Sequence, residues 1–142
     1  MTASTIAPSP LLVSLPTADR RRAHEFYTSG LGLPAIGEPA DDGVPEPLQF
    51  VMNDGVRLMF VPTGGFGWIT GDHVVAAAGT SECVLGLSAD SDADVDALIA
   101  KARAAGATIV IEPGPQAWGY AGAFADPDGH VWMIRAAEHD AW

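Results

Sequence analysis

Apolar and polar positions follow two different periods along this chain, and the two periods succeed one another in the same order twice. Leu11-Leu12-Val13-Ser14-Leu15 is a short apolar run that predicts a strand. Asp19 stands where a helix N-cap is expected, Ala23, Phe26 and Tyr27 recur at helical spacing, and Gly30 and Gly32 mark the stop. The stretch Glu38 to Pro47 is rich in Pro, Gly and Asp and reads as a loop. Leu48 to Met52 and Val56 to Val61 then read as strands flanking an Asp54-Gly55 hairpin turn. The second half repeats this grammar. Cys83 to Leu87 predicts a strand, Ser91 followed by Asp94 a weak capping box, and Val95, Leu98, Ile99 and Ala102 one face of a helix ending at Gly106. Strands are expected over Thr108 to Ile111, Trp118 to Phe124 and His130 to Ile134, the last pair joined by Asp126-Pro127-Asp128-Gly129. Each Asp-Gly turn leads to a methionine on the following strand, Met59 and Met133.

One unit used twice is the implied architecture: an α+β fold of two tandem βαβββ modules forming an open U-shaped sheet around a cleft. Residues 1–10 are expected to be a flexible tail, 11–62 the first module, 63–80 a linker, 81–136 the second module and 137–142 a C-terminal tail. The linker lacks clear periodicity; it carries Gly64-Gly65-Phe66-Gly67-Trp68 and a short helix expected around His73 to Ala78. A cleft between curved sheets with apolar and aromatic walls is the default place for a ligand.

Composition narrows the choice of partner. Seven basic residues stand against 18 acidic ones, a formal net charge of -11, which argues against nucleic acid because phosphate binding needs basic patches. The cluster Arg20-Arg21-Arg22 reads as a solvated helix face. Cys83 is the only cysteine, so neither an internal disulfide nor a thiolate zinc cluster can form, and its apolar surroundings suggest a small buried strand residue. No window is apolar enough for a membrane span, and no charged-then-apolar leader opens the chain, so a cytoplasmic protein with no membrane partner is expected. Asp90 to Asp96 looks like a calcium loop, but Val95 and Lys101 occupy the positions that need Gly and Glu; the acids read instead as a helix N-terminus.

The stretches Trp118 to Ile134 (WGYAGAFADPDGHVWMI), Leu11 to Leu33 (LLVSLPTADRRRAHEFYTSGLGL) and SADSDADVDALIAKARAAGATI resemble the vicinal oxygen chelate superfamily of glyoxalases, bleomycin-resistance proteins, fosfomycin-resistance enzymes and extradiol dioxygenases. The resemblance covers Leu11 to Ala136 and implies the glyoxalase/bleomycin-resistance-like fold. Metal-dependent members place a ligand, usually His, on the first strand of each module and another, usually Glu, after each hairpin. Carried onto this chain, those positions fall near Leu12 and Val84, with Ser14 and Cys83 beside them, and at Met59 and Met133. None is a His or a carboxylate, and a thioether is a poor ligand for hard or borderline cations. Of the four histidines, His24, His73 and His139 lie away from the cleft, and His130 has the wrong strand parity to share a face with Met133.

The aromatic residues are the positive signal. Phe60, Phe66, Trp68, Trp118, Tyr120, Phe124 and Trp132 fall on expected inner strands or on the linker, where they suit a flat organic ligand. Arg57 shares the Met59 face and would suit an anionic or phenolic group. The expected ligand-binding set is Arg57, Met59, Phe60, Trp68, Trp118, Tyr120 and Met133, with no metal and no cofactor. The expected partner is a small apolar or aromatic molecule, held for sequestration or resistance in the cleft of a homodimer. The alternative is a metal-dependent lyase, isomerase or dioxygenase of the same superfamily. No catalytic residue or reaction is singled out by the sequence.

Overall fold

A computed structural model of the protein describes residues 5–139, so 1–4 and 140–142 of the expected tails lie outside the described residues. The first repeat comprises β1 (Leu11–Thr17), α1 (Arg20–Glu25), β2 (Ala35–Ile36), β3 (Leu48–Asn53) and β4 (Val56–Pro62); α1 runs on through a wider turn at Phe26–Gly30. After α2 (Thr63–Thr70), the second repeat comprises β5 (Leu85–Ala89), α3 (Asp92–Ala104), β6 (Thr108–Gln116), β7 (Gly119–Ala125) and β8 (Val131–Ala136). The strands form two four-stranded sheets in the orders β1-β4-β3-β2 and β5-β8-β7-β6. In each, the first strand of the repeat runs parallel to the last, and the hairpin strands are antiparallel. The expected α+β duplication is therefore what the chain adopts, with the two sheets hydrogen-bonded separately.

Local chemistry explains the helix starts. Asp19 accepts a hydrogen bond from the Arg22 N–H at 3.1 Å and Ser91 one from the Asp94 N–H at 3.2 Å, satisfying donors that a helix leaves open at its first turn. Several expectations fail at this level. The helix between the modules is Thr63–Thr70, not a segment around His73. The strand expected from Cys83 begins at Leu85, which leaves Cys83 exposed. β6 continues through Pro113 and Pro115 because it is an edge strand with register shifts, where a missing N–H is tolerated. Arg20 is no solvated side chain: it donates to Asp42 at 2.7 Å and to the Val44 and Pro45 carbonyls, holding the loop before β3.

Both repeats share one core. Tyr27 packs on Phe50, Phe60 and Trp132, and Phe26 packs on Phe124, so apolar residues from the two sheets meet around the helices. Because the helix-facing side of each sheet enters this core, the opposite face of each sheet is turned outward.

Glycine sets how closely the repeats approach. A Cβ added at Gly30 would lie 2.5 Å from the Ala105 Cβ, at the contact between the end of the α1 turn and the end of α3. Gly30→Val is therefore expected to wedge the modules apart at a cost of about 1–3 kcal/mol. Gly67→Ala on α2, where nothing lies within 4 Å, should be neutral or stabilise by up to about 1 kcal/mol. Urea unfolding of both variants measures the contrast; equal midpoints would remove the close approach as a constraint.

Candidate ligand-binding surface

The hairpin Asp126–His130 is the densest polar cluster among the described residues, and it faces the first module. Asp128 accepts from the Thr17 hydroxyl at 2.6 Å and the Ala18 N–H at 2.9 Å, while Arg22 donates to the Pro127 carbonyl. His130 Nε2 lies 2.7 Å from the Pro16 carbonyl, which can only accept, so Nε2 carries the proton. Asp126 accepts from the Asp128 and His130 N–H groups with one oxygen and from the Tyr27 hydroxyl at 2.5 Å with the other. Tyr27 in turn accepts from Trp132 Nε1–H at 2.9 Å. Burial pushes the Asp126 carboxyl above the usual carboxylate range, against the pull of the Tyr27 hydrogen bond, and burial beside Asp126 holds the Tyr27 phenol well above its ordinary value.

Asp126, Asp128 and His130 bring ligand-type atoms within 4.8 Å of one another. Each is already committed to holding one module against the other, so the cluster reads as a clasp. The sequence marked this segment as a turn and missed Thr17 and Tyr27 as its partners. The only available signal was the unusual pair of acids in the turn, because the partners lie about a hundred positions away in the chain.

The outward faces carry the candidate surface. Strand register defines its rows. On the first sheet, Leu12, Arg57 and Val51 lie side by side, and Ser14, Met59 and Gln49 form the next row, with Gln49 Nε2 3.7 Å from the Met59 sulfur. On the second, Gly86, Met133, Ala123 and Ile111 form one row and Ser88, Arg135, Ala121 and Gly114 the other. The second sheet thus has a floor of glycine and alanine flanked by Met133, Arg135 and Ile111.

Arg57, Met59 and Met133 of the expected set lie on these faces. Phe60 and Tyr120 do not. Phe60 is 1% exposed in the shared core, and the Tyr120 hydroxyl donates to Asp96 on α3 at 2.7 Å, which also raises the phenol pKa. Phe60 is adjacent to Met59 and strand neighbours point to opposite faces, so both could not share one wall. Trp68 on α2 and Trp118, in the turn between β6 and β7, are 88% and 58% exposed. Of the other aromatic candidates, Phe124 and Trp132 are core residues and Phe66 is buried on the inner side of α2.

A divalent cation does not fit this surface. Register pairs Met59 with Ser14 and Met133 with Gly86, two residues beyond Leu12 and Val84, so the four positions hold two thioethers, a hydroxyl and a glycine. That donor set offers neither imidazole nor carboxylate.

The chain belongs to the Glyoxalase/Bleomycin resistance protein/Dioxygenase superfamily, whose model matches residues 10–134. Among solved structures it is similar to the hypothetical protein SA1046 from S. aureus, with 20% identity, 93% of this chain and 95% of that chain covered, and a TM-score of 0.77. A glyoxalase-related enzyme from Fulvimarina pelagi matches at 24% identity over 89% and 86% of the two chains, also at 0.77. TnmS3, an antibiotic binding protein from Streptomyces sp. CB03234, matches at 25% identity over 94% and 98%, at 0.64. No curated protein matches the chain. No helix among the described residues is long and apolar enough to cross a membrane.

Proposed function

We propose that this chain is a cytoplasmic small-molecule-binding protein that holds an apolar or aromatic compound against its outward sheet faces without a metal ion. The observation that carries the reading is the pair of register-matched positions Ser14–Met59 and Gly86–Met133, apolar or small where a metal enzyme of the superfamily would need imidazole and carboxylate. Methionines at both sites suit an adaptable apolar wall, and the alanine floor between Met133 and Ile111 leaves room for a flat ring. Arg57, whose guanidinium makes no hydrogen bond or ion pair with the described residues, is the cation for an anionic or phenolic substituent; Trp118 and Trp68 are aromatic surfaces at the rim. The structural likeness to an antibiotic binding protein supports sequestration or resistance as the use of such binding.

The two outward faces belong to one chain but point away from its core. A second copy, laying its second sheet over the first sheet of its partner, would close each face into a cleft, and a homodimer is part of the proposal. Native mass spectrometry of freshly purified protein, with no metal or chelator added, tests it. A metal-free dimer retaining an organic mass is expected; one divalent ion per chain would replace this reading with a glyoxalase-type metal enzyme.

A further inference from the structure

β1 is an edge strand, and its free side borders a second cavity, separate from the outward faces. The cavity measures about 440 Å³, within the usual range of small-molecule pockets. Its walls are the Val13–Pro16 stretch of β1, Phe66 of α2, the Val75–Cys83 segment, and His130 with Val131 at the start of β8; they are mostly apolar. Neither Met59 nor Met133 lines it.

Thr63, Ser81, Glu82, Asp128 and His130 also line it, the last two already bonded to Thr17, Ala18 and the Pro16 carbonyl; along the free edge of β1 the polar chemistry comes from backbone. In a strand, the N–H and C=O of one residue point the same way, and successive residues alternate. The Leu11 N–H bonds to Gly55 on the β4 side, whereas the Pro16 carbonyl meets His130 on the free side. Odd-numbered residues of β1 therefore address β4, and Ser14 presents both its N–H and its C=O to the free edge. No strand among the described residues pairs with that edge. A buried or half-buried backbone donor and acceptor without partners is costly unless something fills the role.

The roof over them is weak. α2 carries Gly64, Gly65 and Gly67 in eight residues, with no side-chain cap at Pro62, and residues 71–84 form no helix or strand. Interior glycines each cost a helix about 1 kcal/mol relative to alanine, so this roof opens more easily than the rest of the fold.

We propose that this cavity is a second binding site, for a compact ring compound bearing a primary amide or a lactam, whose C=O and syn N–H pair with the Ser14 N–H and C=O. A primary amide or lactam presents one acceptor and one donor on a single edge, as the two peptide groups flanking a residue of a neighbouring strand would, while the apolar walls take the ring.

Benzamide is the probe, followed by the backbone amide resonance of Ser14 and by the labelling rate of Cys83, the only thiol, at the cavity wall. At about ten times a millimolar Kd, typical of a fragment, labelling should slow by roughly tenfold and the Ser14 resonance should shift. Ser14→Pro deletes the outward N–H, and with it the Ser14 resonance, at an edge position like that of Pro16 two residues on, so the fold should persist while the slowing of Cys83 labelling vanishes. Ser14→Ala keeps the N–H and should keep both responses; N-methylbenzamide, a trans amide whose N–H points away from its C=O, and N,N-dimethylbenzamide, with no N–H, should lose them. Absence of any Ser14 shift, undiminished binding in a folded Ser14→Pro variant, or shifts confined to Met59 and Met133 would each overturn the proposal. The last of these would leave the sheet-face reading intact, and the two sites fail independently.

Discussion

Asp126→Ala is expected to cost the fold about 3–5 kcal/mol, read as a lowered midpoint in urea or thermal unfolding. The substitution strands two backbone N–H groups and the Tyr27 hydroxyl, all held by this one carboxylate between the modules. Each unpaired buried donor costs about 1–3 kcal/mol, and the vacated volume adds to that. Asp126→Asn keeps an acceptor for both N–H groups and should cost less, about 1–2 kcal/mol. The pH dependence separates the terms. Burial raises the folded-state pKa of Asp126, so the folded protein binds more protons than the unfolded chain from about pH 4 upward, until the folded pKa is passed. The stability contributed by this group is fully present below that window and declines as pH rises through it. The advantage of the native protein over Asp126→Asn should therefore be largest in acid and shrink as the carboxyl ionises. An advantage that grows with pH would mean that the three donors outweigh desolvation.

Met133→Glu is expected to weaken binding of an apolar aromatic ligand by roughly 100-fold, equivalent to about 3 kcal/mol. Met133 lies between Gly86 and Ala123 on the second sheet, so a carboxylate there must be desolvated beneath any ring resting on the alanine floor. Calorimetric titration with the compound identified by mass spectrometry gives the ratio. Met133→Leu, similar in volume and apolar, should stay within a few-fold of the native protein. If glutamate binds as tightly as methionine, the ligand lies elsewhere and the sheet-face proposal falls. Neither substitution touches the core, so both variants should unfold with the native midpoint.

What the sequence by itself determined was whatever depends on near neighbours in the chain. The duplicated strand–helix–hairpin order, the caps at Asp19 and Ser91 and the Asp-Gly turns are set by period, by capping oxygens and by local backbone geometry, all readable within a few residues. The family was legible for the same reason, because its motifs are contiguous. Strand alternation was legible too, and it alone forbids Met59 and Phe60 from sharing a wall; which parity faces the helices was not, since that depends on where α1 and α3 pack. Tertiary structure decided that Phe60, Phe124 and Trp132 enter one core shared by both repeats, and that Tyr120 turns to Asp96. It also decided that the Asp-Pro-Asp-Gly-His turn clasps β1 through Thr17, Ala18 and the Pro16 carbonyl. Those partners are separated by more than a hundred residues, and no local propensity encodes a hydrogen bond across that distance. Exposed Cys83 and half-buried Arg20 have the same cause: burial is a property of what packs over a residue, and a strand or helix pattern specifies only which positions are available to be covered.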